Sequence, residues 1–174
     1  MTQPDWVVFD LDPAEGRGID QAIEVALLLR GMFDRLGLPC VPKTSGKRGL
    51  HLYIPLAKGH TYEDAQSFAI QVGETVAQQL PQVTLERSIS QRKGRLYFDC
   101  MQNAYAKTVI APYSPRGIEG APVSAPLRWD EVSEKLDPSK FTIKTMPARL
   151  DKLGDLFEPA LKNGVRLPRY QSRG

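Results

Sequence analysis

The stretch VVFDLDP, residues 7–13, decides how the rest of the chain is read. Its apolar residues belong to a buried strand, yet carboxylates stand at Asp10 and Asp12 before Pro13 ends the run. Strand side chains alternate faces, so Val7, Phe9 and Leu11 point one way and Val8, Asp10 and Asp12 the other. Two carboxylates side by side repel unless a cation lies between them, and a hard divalent ion such as magnesium supplies that charge. Asp ahead of Pro also simply begins turns, and for DLDP alone the two readings weigh equally. The balance shifts at RLYFD, residues 95–99, where Asp99 ends a second strand on the face of Tyr97 and Arg95. With the two strands adjacent, three acids would converge at one sheet edge, the minimum for phosphoryl transfer assisted by two ions.

Outward from this strand, residues 19–36 carry apolar side chains at Ile19, Ile23, Ala26, Leu27, Phe33 and Leu36, the spacing of a helix that Gly37 stops. Residues 40–43 are short and extended, and LHLYIPL, 50–56, forms the second main strand. Thr61 caps a helix bearing Ala65, Phe68, Ala69, Val72 and Val76 on one side and ending near Pro81. A weaker strand over 83–87, the strand RLYFD and a further strand in KTVIAPYS, 107–114, precede the proline-rich PRGIEGAPVSAP; residues 129–136 read as a short helix. Strands alternating with helices and then following one another imply an α/β fold with a mixed sheet and helices on one face. The expectation is a single domain over 1–174, with its core in about 1–160 and a loosely held tail over 161–174.

At 174 residues, 41% hydrophobic and 25% charged, the chain is long enough for a full core and ordinary in composition. Cys40 and Cys100 lack zinc-site or disulfide-scaffold spacing, which points to a reducing compartment. No apolar run reaches the roughly 18 residues of a membrane span, and MTQPDW lacks a signal peptide's regions, so a cytoplasmic location is expected. The net charge of +3 excludes little, but two basic clusters stand out: Lys43, Lys47 and Arg48, and then Arg87, Arg92, Lys93 and Arg95. Each by itself is an ordinary solvated surface.

TSGKRGLH, residues 44–51, is the second unusual feature. Gly46 and Gly49 let the backbone turn tightly against an anion, and Ser45, Lys47 and Arg48 can donate to it. His51 enters the strand beside Tyr53 and away from Leu50, Leu52 and Ile54; next to an anion loop it is read as a triphosphate contact rather than a half-exposed structural histidine. QNAYAKTVIAPYSPR follows Asp99 directly. If this segment folds back, Lys107 and Arg116 reach the triphosphate or the template and stabilise developing charge. Arg92, Lys93, Gln102 and Asn103 are assigned to DNA contact.

The ordered set FDLDP, SGKRGLHLYIPL, RKGRLYFDCMQNAYAKTVIAPYSPR and LDPSKFTIKTMPARL closely resembles the polymerase domain of bacterial DNA ligase D, a branch of the archaeo-eukaryotic primase superfamily. The resemblance runs from Trp6 to about Pro159. It implies an RRM-like mixed sheet and a template-dependent nucleotidyltransferase that adds nucleotides, often ribonucleotides, to a 3′-hydroxyl at broken or gapped DNA. It further implies two manganese or magnesium ions at Asp10, Asp12 and Asp99, with Ser45 and His51 on the incoming nucleoside triphosphate and Lys107 and Arg116 near nucleotide and DNA primer-template. Members of that family carry an N-terminal module ahead of the DxD strand, whereas Met1 lies only a few residues before it here. The chain is therefore read as an excised catalytic half, a naturally short relative or one half of a split enzyme, a separate chain being one source of the module or of a ligase. Two other classes compete. FDLD also opens haloacid dehalogenase-type phosphatases, although these continue with Gly-Thr where Pro13 and Ala14 stand. A non-catalytic half that only holds nucleotide or DNA would keep the same acids.

Overall fold

The computed structural model describes residues 3–162 and 164–168. Its centre is a five-stranded mixed sheet in the order β2-β3-β1-β5-β4. The strands are β1 (Trp6–Asp12), β2 (Val41–Thr44), β3 (Leu50–Pro55), β4 (Val83–Thr84) and β5 (Leu96–Asp99). β1 runs antiparallel to both β3 and β5, β2 is antiparallel to β3, and β4 is parallel to β5. Helices α1 (Asp20–Leu36) and α2 (Tyr62–Gln79) cover one face, where Phe9, Leu52 and Phe98 of the sheet pack with Leu29, Phe33 and Phe68. Fully burying side chains of this size contributes about 2 kcal/mol each. The alternation within VVFDLDP is obeyed: Val7, Phe9 and Leu11 lie under the helices, and the acids face the other side.

Both helices are punctuated as their residues dictate. Gly37 takes a left-handed φ of 65° past α1, and its N–H and that of Leu38 close back onto Asp34 and Phe33 carbonyls. Ahead of α2, Thr61 Oγ1 accepts from the Asp64 N–H while Asp64 accepts from the Thr61 N–H, a reciprocal cap.

Four expectations are corrected. Residues 107–114 form no strand: positive φ at Ala106 and Tyr113 bends the run at either end, and the β1 edge left open beyond Asp10 is taken at Val8 by a side chain. The segment instead passes over the helix-free face, where Val109 packs on the cluster of Val8 and Tyr53. The strand expected over 83–87 shrinks to Val83–Thr84, and the helix over 129–136 to a single 3₁₀ turn, Trp129–Glu131. The tail is partly docked: Val165 exchanges backbone hydrogen bonds with Ala57 and Pro55 beyond β3, and Gly164 passes so close to the Leu56 carbonyl that a Cβ would lie 2.3 Å from its oxygen. Residues 169–174 lie outside the described residues.

A further correction concerns Asn103. β5 stops pairing with β1 at Asp10, and the chain turns away through a 3₁₀ turn, Cys100–Asn103. The Asn103 side chain then finishes the ladder: its Oδ1 accepts from the Val8 N–H at 2.8 Å, and its Nδ2 donates to the Val8 carbonyl at 2.8 Å. Nδ2 also donates to the Cys100 carbonyl. The buried amide is thus spent as a one-residue substitute for a strand, which leaves it nothing to offer DNA.

A third helix, α3 (Met146–Leu153), went unpredicted although Pro147 stands at its start and Gly154 at its end. Its Arg149 makes two bonds to the Glu131 carboxylate, at 2.7 and 2.6 Å, tying α3 to the turn at 129–131. Burial pushes the Glu131 carboxyl up, but the Arg149 guanidinium and the Arg128 N–H outweigh it and hold the carboxyl below its ordinary value.

Two outcomes are expected in urea unfolding. Asn103→Ala should cost about 3 kcal/mol, since it strands a buried N–H and a buried carbonyl of the central strand. Arg149→Ala should cost about 2 kcal/mol at pH 7. Because the folded-state value of Glu131 is depressed below its ordinary 4.5, that contribution is complete above pH 4.5 and disappears as pH falls through the depressed value. The gap between native and variant midpoints should therefore close at low pH.

Candidate functional site

On the helix-free face, strand register produces one transverse row. Lys43 of β2 lies opposite His51 of β3, His51 opposite Asp10 of β1, and Asp10 opposite Asp99 of β5. Antiparallel partners on one face stand close enough for their side chains to interact. Asp12 lies two residues along β1, opposite Tyr97. The two acidic strand ends are therefore neighbours on the expected face.

The row is tightly bonded at its β2 end. His51, only 4% exposed, directs Nε2 to Asp10 Oδ1 at 3.3 Å and Nδ1 to Lys43 Nζ at 3.0 Å. Lys43 is fully buried, and burial draws its ammonium down to about 7, with Asp10 opposing that shift and Arg116 adding to it. Asp12 is raised from the usual carboxylate range, first by burial and next by the charge of Asp10. Sequence reasoning gave Lys43 only to a surface cluster. Counting outward from the five-residue loop, however, pairs position 44 with 50 and 43 with 51, which is the signal that places it on the row.

Asp99 points elsewhere. Its Oδ1 accepts from Tyr97 Oη at 3.1 Å and the Met101 N–H at 2.9 Å, and its Oδ2 from Gln102 Nε2 at 3.2 Å. Accordingly, among the described residues no three His, Cys, Asp or Glu side chains form a ready metal cluster. Asp10 and Asp12 line one cavity of about 360 Å³, and Asp99 lines an adjoining one of about 230 Å³; Gln102 borders both.

The larger cavity is walled by the loop that sequence reasoning singled out. Ser45 Oγ accepts from the N–H groups of Lys47 and Gly49 and so folds the turn over itself. Gly46 has φ +74°, and a Cβ there would lie 2.8 Å from Arg116 Cγ. At Gly49 a Cβ would lie 2.3 Å from the Leu11 carbonyl oxygen, so only glycine lets the loop rest on the end of β1. Lys47 and Arg48 are exposed on the same rim, together with half-buried Arg116. The fold-back of the segment after Asp99 thus brings Arg116, but not Lys107, to this cavity.

Lys107 borders the smaller cavity with Arg87 and Arg92. The Arg92 guanidinium lies 3.7 Å over the Tyr97 ring and donates to the Glu86 and Arg87 carbonyls, which fixes it as a wall. Lys93 is exposed at a left-handed turn, φ 51°. Tyr97 was missed as a site residue; its phenol is pushed up to about 12 by burial and by Asp99.

Comparison with known proteins places the chain in a family. The family described as "LigD, primase-polymerase domain" matches residues 1–157. The bifunctional non-homologous end joining protein LigD of Bacillus subtilis is 39% identical over 92% of this chain and 27% of its own length. The multifunctional LigD of Mycolicibacterium smegmatis is 40% identical over 88% of this chain and 20% of its own. The chain thus spans about a quarter of the curated relatives it matches. Among solved structures, the polymerase domain of Mycobacterium tuberculosis ligase D in complex with DNA superposes with a TM-score of 0.82 at 37% identity, covering 91% of this chain and 55% of that one. With matching sequence along most of its length and the same mixed sheet beneath its acids, the chain belongs to the LigD primase-polymerase domain family.

Proposed function

We propose that the chain is a metal-dependent nucleotidyltransferase that extends a DNA 3′-hydroxyl with nucleoside triphosphates, preferring ribonucleotides, during the repair of DNA ends or gaps. The observation that carries this reading is the cross-strand pairing of Asp10 with Asp99, with Asp12 beside them and a glycine-bent cationic cavity against the same strand end. Family membership supports it, as does the DNA complex of the M. tuberculosis domain.

Three carboxylates are hard oxygen donors of the kind magnesium and manganese take, and the Asp12 carboxyl, raised by burial and then by the Asp10 charge, stands where a cation would stabilise its ionised form. When bound, two such ions would neutralise phosphate charge and make the attacking 3′-hydroxyl more acidic. The chain's own residues do the positioning. Ser45 Oγ receives two backbone N–H bonds, which leaves its own hydrogen for a phosphate oxygen. Lys47, Arg48 and Arg116 surround the triphosphate with charge, and His51 meets it from the strand. Arg92, Gln102 and Lys107 along the smaller cavity, with exposed Lys93 beside Arg92 in sequence, are proposed to hold the nucleic-acid backbone, where cations on phosphates fix register rather than sequence. A further polypeptide segment, in the same reading frame or on a second chain, is proposed to complete the contacts to DNA ends.

One observation favours a second reading. Because the Asp99 carboxylate already accepts three hydrogen bonds from its own neighbourhood, a chain that holds nucleotide or DNA without chemistry is also consistent with the geometry.

Primer extension with manganese and ribonucleotides separates the two. The native chain should extend, and the double variant Asp10→Ala, Asp12→Ala should fall by more than about 100-fold. Nucleotide binding without extension would leave the binding role instead. Lys107→Ala should raise KM for DNA by roughly fivefold with kcat nearly unchanged, the loss of about 1 kcal/mol of uniform binding. With magnesium and a generic aryl phosphate no turnover should be seen, whereas a phosphatase would show it.

A further inference from the structure

The proposed chemistry leaves Lys43 without a task, although a fully buried lysine is a costly residue to keep. Its surroundings are specific. Nζ meets His51 Nδ1 at 3.0 Å, Ser124 Oγ at 2.5 Å and the Thr44 carbonyl at 3.5 Å, three partners for the three hydrogens of an ammonium. Ser124 Oγ spends its own hydrogen on the Thr44 carbonyl at 2.9 Å, so toward Lys43 it can only accept. The Tyr53 ring, its centroid 5.6 Å from Nζ, adds a second surface that favours a cation. The carboxylate whose charge reaches Lys43, Asp10, lies beyond the imidazole. The hydrogen-bonded link from Lys43 to Asp10 therefore runs through His51.

The imidazole is thus clamped on both sides. Toward Lys43, Nδ1 serves as the acceptor of an ammonium hydrogen; if the shared proton sits on Nδ1 instead, the amine lone pair accepts it. In both placements Nε2 keeps its hydrogen, because an Nε2 lone pair would face Asp10 Oδ1 at 3.3 Å and repel it. We propose that Lys43 is a positioning residue that locks His51 as an Nε2–H donor aimed at Asp10 and the adjoining anion cavity. The inference rests on the triphosphate reading of that cavity for its consequence, but not for its geometry. Without Lys43 the ring loses the contact that fixes its rotation, and Nδ1 is left buried and unpaired.

The test is imidazole nitrogen NMR on the native chain and on Lys43→Met, joined to nucleotide kinetics. Only two histidines are present, and His60 serves as an internal contrast: its Nε2 accepts from the Leu167 N–H at 3.2 Å, so its neutral form carries hydrogen on Nδ1. The native spectrum should show His51 with hydrogen on Nε2, and Lys43→Met should shift the His51 Nδ1 signal while leaving His60 in place. In extension assays Lys43→Met should raise nucleotide KM about tenfold, as loss of a supporting hydrogen bond does, with kcat within about twofold. The same substitution in a His51→Gln background should add nothing further. A native His51 bearing hydrogen on Nδ1 alone, an Nδ1 signal indifferent to Lys43→Met, or equal losses in both backgrounds would each overturn the assignment. If the native chain shows no extension at all, the polymerase reading fails by itself, and the spectra still decide the role of Lys43.

Discussion

Antiparallel pairing on both sides of β1 is the constraint on which the rest depends. A strand flanked by β3 and β5 in fixed register cannot slip by one residue without moving Phe9 and Leu11 out from under the helices and the acids into them. The apolar half of β1 thus enforces the placement of its polar half. Core packing against Phe33, Phe68 and Phe98 holds Asp10 opposite both His51 and Asp99. The candidate site is in this sense a by-product of a register that hydrophobic burial sets.

The cost of that arrangement is electrostatic, and the row distributes it. A buried ammonium at one end faces carboxylates at the other, with an imidazole between them. No atom among the described buried side chains is left without a partner, although five buried polar or charged residues besides His51 lie among the core. Such a network is satisfied member by member, so that altering one side chain disturbs its neighbours before it disturbs the fold.

Much of this was legible in the chain's letters where a short-range rule governs. Alternation placed both faces of β1, β3 and β5; Thr61 and Gly37 marked helix ends; and Gly46 with Gly49 marked the loop against β1. What failed was what depends on which edges are already taken. The run KTVIAPYS has the composition of a strand, yet the Asn103 side chain already takes the hydrogen bonds of β1 at Val8 on that side, and composition cannot reveal that. Asn103 and Lys43 failed for a related reason: each looks like a surface polar residue until the segments across from it, Val8 in one case and His51 with Ser124 in the other, are known. Asp99 was assigned to the right strand end, but of the three donors to its carboxylate only Tyr97 lies on the same strand face; Met101 and Gln102 follow in a turn that period-two patterning does not describe.

The side-chain splice at Asn103 has a wider bearing. By completing the hydrogen bonding of Val8 with a single amide, it releases the main chain from the sheet four residues earlier than a full strand would allow. The departing segment is then free to arch across the open face instead of lying alongside β1, and the hollow beneath the arch borders Val8, Tyr53 and Val109. A longer β5 would have sealed that hollow with backbone. An asparagine in place of a few strand residues is what turns a flat sheet face into a recess with walls.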